Sequence, residues 1–314
     1  MGDLIKPVFC AVLLAGLAFT PGYGQMRFSE DKEKGMVTVY EGEKKVLTYC
    51  FGDQLKEGAA PEQIRSCYIH PLYSPEGQVL TDDFPSDHPH HHGVFWTWPM
   101  VETRGQGTQT WHPDTPSLRQ HFNRWLEKRT ENGKAFLVVE NEWKLEEQES
   151  VARETLSLCI HAAGPGGRVI DVELVIEAVG GGLTLQGALE QDKGYGGLCF
   201  RGAPLFKGAV MTTDQGRLDG DSTNQPFKWV DLSAEQAGVA VFVSPSHPDY
   251  PPSWLVRNSY AGILNVSWPG LEPVVLRPGV PVTLAYRIYI HAGNSKEGDV
   301  EKEYQKYIIK YKQN

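Results

Sequence analysis

The sequence predicts an all-β protein, one large antiparallel β-sandwich with a C-terminal helix. Three observations carry that expectation. Turn signals recur at roughly the 8–12-residue spacing of a sandwich or barrel, in a chain of 314 residues with Gly 33 and Pro 21. The segments between them alternate in polarity or are rich in β-branched and aromatic residues, which fit a pleated, half-buried surface. Only the end of the chain repeats apolar residues at helical spacing. The overall balance, 40% hydrophobic and 22% charged, is that of a globular protein and excludes a disordered, collagen-like or coiled-coil chain.

The elements follow in chain order. Residues 1–24 read as an export signal: Lys6, then an apolar run Val8–Phe19, then Pro21-Gly22-Tyr23-Gly24 with small residues where cleavage needs them. The run is shorter than the about 20 apolar residues of a membrane span, although an uncleaved N-terminal anchor is the alternative. The expected compartment is the periplasm or the medium. Residues 25–314 then form a single β-sandwich domain, and no later segment reaches transmembrane length. Met36–Tyr40 and Lys45–Tyr49 flank a Gly-containing turn, and Ser66–Tyr73 stops at Ser74-Pro75-Glu76-Gly77, a turn tetrad. Phe122–Arg129 and Ala135–Leu145 bracket Asn132-Gly133, the strongest short hairpin signal. Glu154–His161 and Arg168–Glu177 bracket Gly164-Pro165-Gly166-Gly167. Leu183–Leu189, Gly238–Val243, Gly262–Val266 and Val282–His291 complete the strand set. Val300, Tyr304, Tyr307, Ile308 and Tyr311 recur at helical spacing, a stripe that packs the last helix against the sandwich.

Thirty basic against 39 acidic side chains give a net charge of -9, which argues against nucleic acid or an anionic membrane as partner. Cys50, Cys67, Cys159 and Cys199 are widely spaced and form no C-x-x-C pair, which excludes a zinc knuckle. One or two disulfides and buried free thiols remain equal alternatives.

Four of the ten histidines fall within five positions, in TDDFPSDHPHHHGVFWTWPM from Thr81 to Met100. Pro85 and Pro89 favour a loop over Asp82–Pro89, feeding a strand from about His90. Alternation on that strand puts His90, His92, Val94, Trp96 and Trp98 on one face and His91 on the other. Three readings compete. In the first, imidazoles move protons in a cleft where tryptophan faces stack on a sugar. In the second, His88, His90, His92 and Asp87 hold a divalent metal. In the third, the cluster only ties loop backbone. The first reading is the working one: no cofactor is required, and a divalent metal is the alternative.

RSCYIHPLYSPEGQVLTDDFPSDHPHHHGVFWTW, the later DKGYGGLCFR, and the C-terminal HPDYPPSW, VRNSYAGILNVSWPG and LRPGVPVTLAYRIYIH blocks resemble the so-called PmoA-like family of uncharacterised secreted bacterial proteins. The resemblance runs from about Arg65 to the C-terminus. The family name refers to a methane oxygenase subunit with several membrane spans, which this chain lacks, so the name does not describe a function here. What the resemblance implies is a galactose-mutarotase-like supersandwich and an association with glycan breakdown.

Further candidates come from loops. Lys193, Tyr195 and Arg201 surround Gly194, Gly196 and Gly197, where glycine lets backbone approach a ligand closely; the two cations suit a uronate carboxylate and Tyr195 a proton transfer. His70, Trp111 and His247 lie on a strand and two aromatic loops near these blocks. Glu142, Glu154 and Glu190 read as isolated strand carboxylates, any one a candidate general base and most of them solvated. No G-x-S-x-G, H-E-x-x-H or dinucleotide fingerprint occurs, which removes serine hydrolases, zincins and Rossmann oxidoreductases. The expected function is an exported carbohydrate-active enzyme of lyase, dehydratase, epimerase or hydrolase type. Its catalytic residues would be His90, His92 and Tyr195, and its sugar would be bound by His88, His91, Trp96, Trp98, Lys193, Arg201, His70, Trp111 and His247. A non-catalytic glycan-binding protein is the alternative.

Overall fold

The computed structural model describes residues 24–112, 116–260 and 262–312, with the side chains of 310–312 left aside. Residues 1–23 of the expected export signal, and the side chain of Tyr311, lie outside the described residues. Two antiparallel sheets of nine strands face one another, and a smaller sheet of four strands flanks them. Sheet 1 runs, edge to edge, Met26–Asp31, Met36–Glu41, Lys44–Cys50, Tyr68–Leu72, Val94–Thr97, Gly197–Arg201, Ile263–Ser267, Ser253–Arg257 and Ser222–Pro226. Sheet 2 runs Gly216–Arg217, Val210–Thr213, Trp229–Ser233, Gly238–Val243, Val282–His291, Arg168–Ala178, Glu149–His161, Lys134–Leu145 and Leu118–Glu131. This is the fold class the turn spacing predicts, with the helix Val300–Lys312 at its end.

The expected hairpins form where the turn chemistry placed them. Asn132 and Gly133 adopt φ values of 49° and 71°, the left-handed pair that a tight hairpin turn demands. Period-two alternation then aims one face of each long strand inward. From Glu149–His161 the residues Ala152, Leu156, Leu158 and Ile160 enter the core, and from Arg168–Ala178 Ile170, Val172, Leu174 and Ile176 do so. Each such side chain contributes about 1.5–3 kcal/mol by leaving water. The outer face of sheet 2 is capped by the C-terminal helix. Val300, Tyr304, Tyr307 and Ile308 pack on Trp229, Ala240, Phe242 and Tyr289. Cys50, Cys67, Cys159 and Cys199 are all free thiols, three of them buried, so the disulfide alternative does not apply.

Candidate functional site

Sheet 1 is apolar on both faces near its centre, and its outer face builds the site. The register aligns Phe95, Cys199, Asn265 and Leu255 across four strands. With Cys50, Tyr68, Ile263 and Trp111 these residues, Asn265 excepted, make a second buried cluster, separate from the inter-sheet core. The histidine-bearing segment covers it. Residues 85–92 fold as successive turns, with the His88 amide donating to Pro85 and that of His91 to His88, so regular strand begins only at Val94. Gly93 makes the junction, where a Cβ would sit 2.0 Å from the Ile69 carbonyl oxygen. Only glycine permits that approach. Arg201 pins the loop from below through a bidentate pair with Asp87 at 2.9 and 3.0 Å.

A proton-carrying chain lies inside this loop. His92 Nδ1 is 2.8 Å from Asp83 Oδ1, and the Tyr68 hydroxyl donates to Asp83 Oδ2 at 2.9 Å. Asp83 therefore fixes the tautomer, with the proton on Nδ1 and the Nε2 lone pair left for the cleft that His92 lines. That cleft has a volume of about 380 Å³ and is lined by Arg65, His90, His92, Trp111, His112 and Glu147 among others. The His90 ring lies 3.9 Å from that of His112 and 4.5 Å from that of His91, and His91 stacks on His88 at 4.8 Å. Burial, reinforced by neighbouring imidazoles, pushes His90 down to about 3 and His91 lower still. His92 is also lowered by burial, with Asp83 opposing. These rings are neutral at pH 7 and able to accept protons.

The floor of the cleft reaches into the core. Arg65 donates to the Thr110 carbonyl at 2.8 Å and to Gln120 Oε1 at 2.6 Å. Gln120 Nε2 then donates to Glu154 Oε2 at 2.9 Å. Glu154 is fully buried and also accepts from the indoles of Trp96 and Trp143 at 2.8 and 2.9 Å and from Asn141 at 2.8 Å. A solvated strand carboxylate was expected here; it is the polar centre of the core instead.

The other expected site residues divide into three groups. The Trp111 and Tyr195 rings lie 4.6 Å apart, tilted by 51°, beside His90 and His91, and Arg201 reaches His91 Nδ1 at 3.5 Å, so these join the histidines. His88 borders them, and His70, bonded to Thr81 at 3.0 Å, stands on the same side of sheet 1 as Tyr68. Lys193 turns onto Glu190 of its own turn at 3.1 Å. Trp96, Trp98 and His247 are corrections. The expected strand parity fails because it does not pass through the turns and Gly93, so Trp96 and Trp98 point into the inter-sheet core, fully buried. The Trp98 indole donates to the Trp268 carbonyl at 2.8 Å. His247 is buried against Tyr286, whose hydroxyl is 3.0 Å from Nε2, and burial pushes it down to about 4.

Asp83, Tyr68, Gln120 and Arg119 are site residues to which sequence patterns gave no role, and His112 lines the cleft beside Trp111 of its own loop. Arg119 edges the cleft, paired to Asp53 at 2.7 Å and Glu147 at 3.0 Å. Among the described residues, the group of three metal-ligating side chains with converging ligand atoms is Cys159, His161 and Asp171. Asp87, His88, His90 and His92 do not converge in that way, because Asp87 is held by Arg201 and His92 by Asp83.

Comparison with known proteins gives a family and weak structural likenesses. Residues 36–305 match the profile described as "Family of unknown function (DUF6807)". A search of curated proteins returned no match. Similar solved structures include a putative mutarotase from Salmonella typhimurium, at 10% identity over 86% of this chain and 88% of that one, TM-score 0.43. An aldose epimerase homologue from C. elegans is similar at 10% identity over 86% of this chain and all of that one, TM-score 0.39. A putative aldose 1-epimerase from Klebsiella pneumoniae is similar at 10% identity over 87% and 81%, TM-score 0.30. Among the described residues no helix is long and apolar enough to cross a membrane.

Proposed function

The chain belongs to the family of unknown function matched over residues 36–305, and we propose that it is an exported carbohydrate-active enzyme using imidazole acid–base catalysis. The observation that supports this reading is the chain from Tyr68 through Asp83 to His92, ending at a nitrogen that serves a cleft. An imidazole oriented by a carboxylate takes a proton through its far nitrogen, and the carboxylate stabilises the imidazolium that forms. The bond broken is a C–H or O–H of the sugar, the step shared by epimerase, lyase and dehydratase chemistry. His90, kept neutral by burial, stands beside His92 on the cleft wall as the second proton carrier.

Carbohydrate is the substrate class that fits a mainly apolar cleft with a few polar groups, walled by Trp111, His90 and His112, since aromatic faces cover C–H surfaces while ring nitrogens and Arg119 meet hydroxyls. Tyr195 backs Trp111 and holds that wall in place. The test uses the purified full chain with a panel of neutral and uronate-bearing oligosaccharides, followed by NMR. Wild-type protein should convert at least one of them, and His92→Gln should lose about 10²–10⁴-fold in rate while still binding. Conversion by His92→Gln at the wild-type rate overturns the assignment of the base. Binding without any conversion by the wild type replaces the enzyme with a glycan-binding protein.

A further inference from the structure

The outer face of sheet 2, on the far side of the molecule's core from the cleft, carries a different cluster. Cys159 and His161 alternate on the strand Glu149–His161 and so share a face, and the register sets Asp171 directly opposite Cys159. Cys159 Sγ lies 3.5 Å from His161 Nε2, and the same nitrogen lies 3.2 Å from Asp171 Oδ2. We propose that Cys159, His161 and Asp171 bind a divalent ion of the zinc class.

The geometry separates this from a catalytic relay. In a nucleophile–His–carboxylate relay the two partners use different ring nitrogens, whereas here thiol and carboxylate both face Nε2. A tetrahedral zinc with ordinary bond lengths to sulfur, nitrogen and oxygen sets sulfur and nitrogen about 3.6 Å apart and nitrogen and oxygen about 3.4 Å apart. The observed separations are close to these, and the nitrogen–oxygen distance is longer than a typical hydrogen bond of about 2.9–3.0 Å. Arg287 donates to both oxygens of Asp171, at 2.7 and 3.0 Å, the outer support that a ligating carboxylate commonly has. A cavity of about 260 Å³, lined by Cys159, Asp171, Glu173 and Tyr307 among others, gives an entry path beside the C-terminal helix. A thiolate and an imidazole select zinc or cobalt over magnesium or calcium.

The experiment titrates the untagged full chain, first dialysed against chelator, with Co²⁺. Thiolate-bound cobalt shows a sulfur-to-metal charge-transfer absorption. Burial pushes the thiols of Cys50 and Cys67 up to about 12 and that of Cys199 higher, so within residues 25–314 the band reports Cys159, and the Cys159→Ser variant separates it from any band at Cys10. One equivalent of cobalt should produce it, zinc should displace it, and Cys159→Ser and His161→Gln should each abolish it. Absence of the band at stoichiometric cobalt, or an unchanged band in Cys159→Ser, overturns the proposal. Circular dichroism checks each fold; if Cys159→Ser fails to fold, the partly exposed His161→Gln gives the reading.

Discussion

Glu154 is the most heavily hydrogen-bonded side chain of the inter-sheet core, and replacing it tests whether that node holds the two sheets together. Oε2 accepts from Trp96, Trp143 and Gln120, and Oε1 from Asn141. In Glu154→Ala four donors lose their acceptor. Leaving a buried donor unpaired costs about 1–3 kcal/mol, and the two indoles are locked by packing and cannot turn away. Allowing the amides to find other partners, the loss is about 4–5 kcal/mol, similar to breaking a buried ion pair. Glu154→Gln keeps the volume. Its carbonyl must face the three donors at Oε2, which sets its amide nitrogen against Asn141 Nδ2. Turning Asn141 over resolves the conflict: its Oδ1 then accepts from the new amide, and the Tyr49 hydroxyl, which lies 3.0 and 3.3 Å from the two ends of Asn141, can donate to the turned oxygen or accept from the turned nitrogen. What remains is the weakening of charged to neutral hydrogen bonds, about 2 kcal/mol in all. For a chain of this size about 0.6 kcal/mol corresponds to one degree, so Gln should lower Tm by about 3 °C and Ala by about 8 °C. Thermal melts followed by circular dichroism and tryptophan fluorescence measure both. An alanine variant melting within about 1 °C of wild type, or a glutamine variant falling as far as alanine, refutes the reasoning.

The remaining predictions concern the loop, the chemistry and pH. Asp83→Asn removes the charge that opposes burial at His92, so its pKa falls further; the acidic limb of the pH–rate profile should move down while the rate drops, and an unmoved limb would separate Asp83 from the base. Gly93→Ala forces a Cβ against the Ile69 carbonyl and should unfold the loop or the whole domain; a soluble variant with wild-type Tm contradicts the close approach. His291 is pulled down by burial, but its 2.8 Å contact with Asp231 more than offsets this and holds its pKa above the ordinary imidazole value. A raised folded-state pKa gives stability that is full below about pH 6.5 and lost as pH rises through that pKa. Urea midpoints should therefore fall as pH rises above about 6.5 in wild type and fall less in His291→Gln; equal slopes would remove the pair as the cause.

The hairpins and the helix were legible because their signals are local. Asn132-Gly133 needs only its own φ angles, and Val300, Tyr304, Tyr307 and Ile308 need only the helical period. The face of Trp96 and Trp98 was misread for the complementary reason. Alternation was extended backwards through His92, but Gly93 and the turns before it break the period, and that break depends on the neighbouring strand Tyr68–Leu72. The buried node had a usable signal. Glu154 falls at the same parity as Leu156, Leu158 and Ile160, and Asn141 at that of Val139 and Trp143. A polar residue on the apolar face of an alternating strand must meet partners, so the parity alone is enough to mark both as buried and bonded, and reading Glu154 as a solvated carboxylate overlooks it. The pairing of Asp83 with His92 had no such signal, because it depends on how the loop closes.

Why the histidines crowd one loop follows from the two-faced character of sheet 1. Strands Val94–Thr97, Gly197–Arg201 and Ile263–Ser267 are buried along their whole length, so their outer side chains need a cover of their own. A cover made only of aliphatic residues would seal Phe95 and Cys199 but offer no chemistry. Imidazole rings pack as flat aromatic plates, as the stacked His88 and His91 do, and still carry a nitrogen lone pair at the edge. Their burial disfavours the charged form, which is the direction seen at His90, His91 and His92. The desolvation that seals the outer cluster is therefore also what keeps these rings unprotonated at neutral pH. Asp83 then restores part of the basicity at one ring alone, and this singles out His92, rather than His90 or His91, as the ring most able to hold a proton taken from a ligand.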